Sequence, residues 1–238
     1  LSGGKDTTAM ALLLPETDPH VRREYFCTPT GNELDDMAEH FAMLECLLGL
    51  PIIVLPAHTL VGLIQFFDAL PNWRQRWCTR MLKIEPCIKY IRSLASADPG
   101  GVGPVLSVGL RADEEARTGI YSAEVRTRFP LREAGWGIDE VQGYLRSRGV
   151  RVPVRTDCAW CYAQRLSDWY RLWRDHLAVW LEGEAWEEKT GHTFRSDQRD
   201  SWPASMREMR ARFEAGHGPR GGDNQLQLFE DAEPDNRG

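Results

Sequence analysis

The sequence predicts an α/β protein built on a doubly wound parallel sheet, followed by a helical C-terminal region. Three observations lead to this prediction. Short apolar runs alternate along the chain with segments of helical period, as they do in β-α-β units. The run Ile52-Ile53-Val54-Leu55 is apolar throughout, which is typical of a parallel strand covered on both faces. A glycine pair, Gly3-Gly4, stands directly before an apolar helical run, as in a strand-to-helix turn that holds an anion.

The predicted elements alternate in a regular order. The pattern predicts strands over residues 23–28, 52–55 and 104–110. It predicts helices from Lys5 to Leu14 and over 33–48, 58–69, 79–97 and 138–148, with an interruption or restart around Pro86. Tryptophan-rich, charged helices follow up to Phe194, and another covers 203–215. The chain therefore divides into an α/β domain over 1–155, a Cys-x-x-Cys and Trp-rich helical region over 156–215, and a Gly-, Pro-, Asp- and Asn-rich tail over 216–238 that we expect to be disordered.

Composition excludes some classes of protein. With 238 residues, 42% of them hydrophobic, the chain suits one large domain or one domain with an appendage. A net charge of −6 argues against a protein that coats nucleic acid through bulk charge, although it leaves room for a local basic groove. The most apolar region, 41–67, contains Glu45, two prolines and His58, so we expect no membrane span and a cytoplasmic location. Because Leu1 reads as the end of a strand, we expect the first strand and the true start to precede it.

The segment from Ser2 to Thr7 has the composition of an anion-binding loop. The glycine pair allows a sharp turn that points successive N–H groups into one concavity at a helix N-terminus. Hydroxyls of Ser2 and Thr7 add donors, and Lys5 adds a positive charge. The spacing differs from that of a Walker loop. The plainer alternative is an ordinary strand-to-helix turn with a serine cap.

Two further loops follow predicted strands. Thr30-Gly31-Asn32-Glu33 reads either as part of a ligand pocket or as a turn in which Asn32 caps the next helix and Glu33 lies in its first turn. The segment 109–117 carries Arg111 and Arg117, which can bind phosphate or sulfate through paired hydrogen bonds. A solvated, salt-bridged helix is the equally weighted alternative for these arginines.

Taken in order, these motifs resemble the phosphoadenosine phosphosulfate (PAPS) reductase family, a branch of the PP-loop superfamily of adenine nucleotide alpha hydrolase-like proteins. The resemblance rests on Ser-Gly-Gly-Lys-Asp-Thr, Thr-Gly-Asn-Glu, Trp77-Cys78-Thr79 with Lys83 and Pro86, and Gly-x-Arg-x-Asp-Glu-x-x-Arg. Pro130-Leu131, Trp136 and the run 139–145 are similar to the segment that closes the family's site. The match extends from Leu1 to about Trp173.

The resemblance implies that the domain over 1–155 is a PP-loop domain that binds an adenine nucleotide, either ATP with Mg²⁺ or PAPS or adenylyl sulfate. It implies phosphate or sulfate contacts from the following residues: Ser2, Gly3, Gly4, Lys5, Asp6, Thr7, Thr30, Gly31, Arg111 and Arg117. Lys5, Asp6 and Cys78 are the residues that we expect to take part in catalysis.

Two departures from the family pattern bear on the reaction. The C-terminal Glu-Cys-Gly-Leu-His motif of the assimilatory reductases is absent, and no cysteine follows Cys161. Thr79 replaces the second cysteine of the Cys-Cys pair found in the cluster-bearing reductases. We therefore predict first an enzyme that activates its substrate with ATP for sulfur transfer, of the type that modifies nucleic acid. A PAPS or adenylyl sulfate reductase is the second hypothesis, and a non-catalytic nucleotide-binding accessory protein is the third.

The cysteines suggest a metal site. A Cys-x-x-Cys pair in a cytoplasmic protein favours metal or redox chemistry. The resemblance to the cluster-bearing reductases implies that Cys78, Cys158 and Cys161 are the ligands of a [4Fe-4S] cluster. Zinc, a redox pair and plain thiols are the alternatives. Cys87 is either a fourth ligand or a thiol on a helix face, whereas Cys27 and Cys46 are predicted to be small buried core residues.

Three other features remain. The tryptophans after Cys158 fall at helical spacings that favour packing. Seven arginines between 126 and 155 are diluted by acidic residues, so a solvated face is the first interpretation and a nucleic-acid groove the second.

The tail contains an isolated apolar patch, Gln225-Leu226-Gln227-Leu228-Phe229. It resembles the peptide by which bacterial proteins bind the replicative sliding clamp. A terminal strand or turn packed on the domain is the alternative.

Overall fold

The computed structural model describes residues 1–55, 58–97, 101–117, 125–152 and 155–219. The fold is mixed α/β, about 51% helical, with few and short parallel strands. The predicted α/β class is therefore confirmed. The strands of the described residues form two separate two-stranded sheets, β1–β2 and β3–β4, each of them parallel.

The strands are β1 (Tyr25–Cys27), β2 (Ile52–Val54), β3 (Leu106–Ser107) and β4 (Thr127–Arg128). The helices are α1 (Lys5–Thr17), α2 (Asp36–Leu48), α3 (Leu60–Phe67), α4 (Trp77–Thr79), α5 (Glu85–Ala97), α6 (Pro130–Glu133), α7 (Ile138–Ser147), α8 (Leu166–Asp175), α9 (Leu177–Thr190) and α10 (Met206–Glu214). A π-helical turn, Arg80–Ile84, joins α4 to α5, and a 3₁₀ turn covers Ala112–Glu114.

The chain divides into two compact units, Leu1–Trp160 and Cys161–Gly238. In the first unit, β1, α2 and β2 form a β-α-β unit in which Phe26 pairs with Ile53 in parallel register. The register of the second sheet sets Leu106 opposite Thr127. A parallel pair needs a crossover connection, and α2 provides it between β1 and β2.

Helix α1 lies at the centre of the first unit. One set of its side chains packs with α6 and α7, in a cluster that includes Leu13, Leu131 and Val141. Ala11, on another face, packs with Leu44 of α2 and the first sheet. Because α1 is buried on both sides, the position of its N-terminus is fixed by the core.

The predicted boundaries differ from the structure in specific places. The strands over 23–28 and 104–110 are shorter than predicted, and β4 was not predicted. Helix α2 begins at Asp36 rather than Glu33, because the preceding loop uses the Glu33 side chain. Pro86 does not end the helical run, since it lies in the first turn of α5, where proline is tolerated, directly after the π-helical turn.

The second unit is helical, and its core is aromatic. Trp169 and Trp180 are fully buried and meet edge to face with ring centroids 6.0 Å apart. Phe213 of α10 packs against Trp180 at 5.9 Å. The prediction that these tryptophans serve in packing is therefore confirmed for Trp169 and Trp180. The end of the predicted tail, 220–238, including Gln225–Phe229, lies outside the described residues.

The described helices were also tested for membrane spans. Not one of them combines the length and the apolar character needed to cross a bilayer.

Candidate functional site

A cavity of about 340 Å³ lies in the first unit beside the N-terminus of α1. Its apolar wall comes from α1, α2, β1, α5 and the π-helical turn before α5, and includes Met10, Met37, Phe26, Phe41, Ile84, Ile88 and Ile91. Its polar lining includes Ser2, Thr7, Thr28, Glu33, Lys83, Ser107, Thr156 and Asp157. The cavity is therefore apolar on its wall, with polar groups contributed by α1, β3, the Arg80–Ile84 turn and the loops around them.

The loop from Ser2 to Thr7 is held by its own side chains. Gly3 has a φ of +73°, a left-handed conformation that favours glycine. The hydroxyl oxygens of Ser2 and Thr7 lie 3.1 Å apart, and Thr7 Oγ1 donates to the carbonyl of Gly4 at 3.0 Å. The helical bond from Thr8 N to Gly4 O closes the first turn. In such a turn the N–H groups before the fourth residue have no acceptor within the helix, and they favour an anion.

A buried pair of side chains, Thr8 and His40, packs beneath the start of α1 and supports this loop. Thr8 is fully buried, and its Oγ1 lies 3.0 Å from Nε2 of His40, which is itself buried. Burial lowers the pKa of His40, so its imidazole is neutral at pH 7. The loop thus rests on a neutral hydrogen-bonded pair.

The segment after β3 approaches α1 very closely. A Cβ placed on Gly109 would lie 3.0 Å from Thr7 Cγ2 and 3.1 Å from the backbone nitrogen of Thr7. Asp6 C would lie 3.2 Å away. A side chain at this position would crowd the backbone of the first turn of α1, so glycine suits the close approach of the two segments. Gly109 therefore brings the carboxyl end of β3 to the predicted anion loop.

Arg111 connects this segment to Asp6. Its Nη1 donates to Asp6 Oδ2 at 2.9 Å, and its Nε donates to Asp113 Oδ1 at 2.9 Å. The Arg111 side chain is only 12% exposed, so these carboxylates replace much of its water. The hydrogen bonds to Asp113 and then Asp6 raise its pKa above the ordinary value. Asp6 Oδ1 is buried and has no hydrogen-bond partner among the described residues.

Arg132 fixes the loop that contains Arg111. Its guanidinium donates to the carbonyls of Arg111, Glu114 and Arg117, at 3.2, 2.6 and 2.7 Å. Arg117 is 67% exposed and pairs with Glu114 at 2.5 Å. Of the two predicted anion-binding arginines, the structure brings Arg111 to the loop at α1 and pairs Arg117 with a neighbouring carboxylate.

The loop after β1 is organised by Glu33. Its Oε1 accepts from the backbone and the hydroxyl of Thr30, both at 2.7 Å, and Oε2 accepts from Gly31 N at 2.9 Å. The N–H groups at Thr30 and Gly31, which were predicted to contact the ligand, therefore surround an internal carboxylate. The predicted cap role of Asn32 is wrong, since Asp35 precedes the first turn of α2. A short polar side chain can bind loop backbone in place of a helix end.

Asn32 instead holds the segment that contains Cys158. Its side-chain Oδ1 accepts from Trp160 N at 3.1 Å, and its carbonyl accepts from Ala159 N at 2.6 Å. Arg155 donates to the carbonyls of Cys158 and Ala159 at 2.7 Å each. The first half of the Cys-x-x-Cys motif is thus anchored to the loop after β1.

The cysteines fall into different environments. Cys27 and Cys87 both line the cavity, and burial raises the pKa of each thiol, so both are protonated at neutral pH. Cys78 lies in α4 and is half-buried, as are Cys158 in the first unit and Cys161 at the start of the second. Cys46 is exposed, so the prediction that it belongs to the core is wrong. Its position on α2 faces away from the cluster around Leu44.

The described residues contain no group of three or more His, Cys, Asp or Glu side chains arranged to hold a metal ion. The predicted iron–sulfur ligands Cys78, Cys158 and Cys161 therefore remain a prediction.

Neither the protein-family models nor the curated proteins that were compared with this chain gave a match.

Several residues were not predicted as site residues from the sequence, although Gly109 belongs to the Gly-x-Arg motif given above. Gly109, Arg132, Thr156 and Asp157 contact the loop or line the cavity through the fold. A signal existed for Gly109, which stands two residues before Arg111 at the end of a predicted strand. Asp157 could also have been noticed, because it stands directly before Cys158, the first cysteine of the Cys-x-x-Cys motif.

Proposed function

We propose that this chain is a PAPS reductase-like PP-loop enzyme that binds an adenine nucleotide and activates a substrate with ATP for sulfur transfer, of the nucleic-acid-modifying type. One observation carries the proposal. The Ser2–Thr7 loop, at the N-terminus of α1, lies at a cavity of about 340 Å³. Pockets of this volume, with apolar walls and a few polar groups, are typical of small-ligand sites.

The geometry supports a division of the nucleotide between two parts of the site. The N–H groups of the first turn of α1, which have no acceptor within the helix, suit the phosphates, since a helix N-terminus favours negative charge. The apolar wall with Phe26, Phe41 and Ile88 suits a planar base. Lys5 is 42% exposed, and its Nζ lies 3.9 Å from Asp6 Oδ2, so this long ion pair leaves the flexible side chain able to turn toward a phosphate oxygen.

In the proposed reaction, an oxygen of the substrate attacks the α-phosphorus of ATP, and pyrophosphate leaves as the P–O bond breaks. The loop at Ser2–Thr7 would bind the departing pyrophosphate, and Lys5 would offset its charge. A sulfide would then attack the substrate atom that bears this oxygen, and AMP would leave with the oxygen as the bond between them breaks. Asp6 and Arg111 would act by orientation, because their ion pair fixes the first turn of α1 against the loop after β3.

The proposal includes a single doubly wound sheet of the PP-loop kind. The two parallel pairs, β1–β2 and β3–β4, would be parts of that sheet. The close approach of Gly109 to α1 supports this arrangement, because it sets the end of β3 beside the helix that follows the loop. Ligands bind at the carboxyl ends of strands in such sheets.

Two cofactors belong to the proposal. Asp6 Oδ1, a buried oxygen without a hydrogen-bond partner among the described residues, fits one ligand of a Mg²⁺ ion. The ion would neutralise the phosphates of ATP.

The [4Fe-4S] cluster at Cys78, Cys158 and Cys161 is a separate hypothesis. Since the described residues form no metal-ligand group, no step of the proposed reaction depends on the cluster.

Thermal-shift titration tests the proposal. We expect ATP with Mg²⁺ to stabilise the wild-type protein and to lose this effect in Gly4→Val. Valine would crowd the loop, since a Cβ on Gly4 already lies 3.4 Å from Thr156 Oγ1 and 3.5 Å from Ser2 Oγ. Gly143→Val is the matched control, because a Cβ there meets nothing within 4 Å.

Three outcomes separate the hypotheses. Stabilisation by ATP, together with substrate-dependent release of AMP and pyrophosphate, supports the adenylating enzyme. Stabilisation by adenylyl sulfate alone supports the reductase, and ATP binding without turnover supports the accessory protein. Equal stabilisation of wild type and Gly4→Val by both nucleotides would refute the assignment of the loop.

A further inference from the structure

An exposed group of aromatic and arginine side chains lies on the first unit, between the end of α3 and the start of α4. We call it the aromatic–arginine surface and define it by Phe66, Phe67, Trp73, Arg74 and Arg76. It belongs to neither the anion loop nor the arginine-rich stretch 126–155. Nothing in the proposed adenylation step uses it.

The aromatic rings of this surface are unusually open to solvent. Phe66 is 77% exposed, and Trp73 is 60% exposed. Phe67 packs between Phe66, at 5.1 Å, and the half-buried Trp77, at 5.3 Å between ring centroids. Phe66, Phe67 and Trp73 all fall within residues 66–73, and exposed large rings grouped on one segment mark a binding surface rather than a core.

The loop that carries Trp73 is fixed in place. Asn72 Oδ1 accepts from the backbone N–H groups of Arg74 and Gln75, at 2.9 Å each. The guanidinium of Arg74 lies over the indole of Trp73, with its Cζ 5.1 Å from the ring centroid. The cation thus stacks on the ring, and this arrangement reduces the ordering cost of binding.

The charge of this segment is opposite to that of the whole chain. Residues 69–84 contain Arg74, Arg76, Arg80 and Lys83 and no acidic residue, although the protein has a net charge of −6. Arg80 pairs with Glu85 at 3.2 Å, whereas Arg74 and Arg76 form no ion pair with a described carboxylate. A partner for this surface must therefore present negative charge together with groups that stack on aromatic rings.

We propose that the aromatic–arginine surface binds single-stranded nucleic acid, with unpaired bases stacked on Trp73 and Phe66 and phosphates held by Arg74 and Arg76. Aromatic rings interleaved with basic side chains are the arrangement by which proteins hold single strands, because each base has a face to stack and each linkage has a charge. A duplex does not offer its base faces. The continuous run from Arg76 to Ile84 connects this surface to Lys83 and Ile84 of the cavity wall.

The inference rests on the proposed function in one respect: it takes single-stranded nucleic acid to be the substrate that accepts the sulfur. The binding itself needs no nucleotide, so the two can be tested separately. Fluorescence anisotropy with a labelled single-stranded oligonucleotide, and with its duplex, measures the binding at low and at physiological salt. The full chain is used throughout.

We expect wild-type protein to bind the single strand more tightly than the duplex. Trp73→Ala should weaken binding by about tenfold, the scale of one lost base stack. Because Trp73 is exposed, this change should leave thermal stability unaltered, and Phe66→Ala provides a second, independent variant. Each phosphate contact contributes about 0.7 to the slope of log Kd against log salt concentration. Replacing both Arg74 and Arg76 by alanine should therefore reduce that slope by about 1.4.

A charge-matched control distinguishes the two basic regions. The double variant Arg74→Glu, Arg76→Glu should lose binding, whereas Arg146→Glu, Arg151→Glu, with the same charge change at two exposed positions of the other stretch, should bind as wild type does. Absence of binding by wild type, unchanged binding by Trp73→Ala, or loss only in the Arg146 and Arg151 variant would each overturn the proposal.

Thermal shift with ATP and Mg²⁺ on the same preparations separates the two proposals. Stabilisation by ATP without oligonucleotide binding would refute the proposed nucleic-acid surface but would still support the proposed function. Oligonucleotide binding that depends on Trp73, in a protein that ATP does not stabilise, would support the surface and count against the adenylating enzyme.

Discussion

Asp6 and Arg111 lie 105 residues apart in the sequence, and their side chains meet at 2.9 Å. The bond ties the first turn of α1 to the loop that follows β3. Arg132 holds that loop from the other side through three backbone carbonyls. The anion loop therefore depends on contacts from distant parts of the first unit as well as on its own glycines.

Arg111→Ala is expected to lower the free energy of unfolding by about 2 kcal/mol, because it leaves partly buried carboxylates without their cation. This loss in the free energy of unfolding is smaller than that for a fully buried ion pair, because Asp6 is 22% exposed. Urea unfolding followed by circular dichroism measures the change. Arg22→Ala is the control: its side chain is 90% exposed and pairs with Glu24 at the surface, so a loss within about 0.5 kcal/mol is expected. Equal losses in both variants would contradict the structural role of Arg111.

Gly109→Ala should destabilise the first unit by about 1–3 kcal/mol, the usual cost of overpacking. The added Cβ meets backbone atoms of Asp6 and Thr7 at 3.2 Å or less, and backbone cannot swing aside as a side chain does. We also expect a smaller thermal shift with ATP. Gly143→Ala, inside α7 with open space around its Cβ, should instead stabilise by about 0.5–1 kcal/mol. The prediction fails if both alanine variants change stability in the same direction.

Asn32→Ala should release the segment around Cys158. It removes the acceptor of the Trp160 N–H and should cost about 1–2 kcal/mol, because that N–H is buried. The rate of Cys158 alkylation should rise, since its backbone loses an anchor. Asn32→Asp keeps the Oδ1 acceptor and should retain the slow rate. Similar alkylation rates in the alanine and aspartate variants would show that the hydrogen bond does not hold this segment.

Glu187 should make the stability of the second unit depend on pH. Its carboxylate accepts from Met206 N at 2.7 Å and Phe194 N at 3.0 Å, and burial raises its pKa to about 7. An unfolded glutamate has a pKa of about 4.3, so between these values the folded unit keeps a proton that the unfolded chain has lost. Stability from this group is therefore greatest at low pH and falls as pH rises from about 4.3 to about 7, by on the order of 3 kcal/mol.

Thermal unfolding of the full chain across this pH range, followed by tryptophan fluorescence, tests the prediction. Glu187→Gln should flatten the pH dependence, because the amide does not titrate. Glu182→Gln, at an exposed position of the same helix, should leave the dependence as in wild type. A flat profile in the wild-type protein would count against the role of Glu187.

Local pattern was sufficient for several features of this protein. Alternating apolar runs and helical periods placed β1, α2 and β2, because such patterns depend on residues close in sequence. The glycine pair before an apolar run placed the turn at the start of α1, since the conformation of a turn is decided by its own few residues. The aromatic spacing after Cys158 indicated packing, and Trp169 and Trp180 are buried.

Only the tertiary structure decided which partners these residues find. Arg111 pairs with Asp6, and Cys87 lines the cavity, because of how α1, β3 and α5 pack together. A sequence shows that a charge or a thiol exists, and its neighbours in space follow from the core that fixes the elements. Arg111 and Arg117 were equivalent in sequence, and they differ in the structure because Gly109 brings only the first of them within reach of α1.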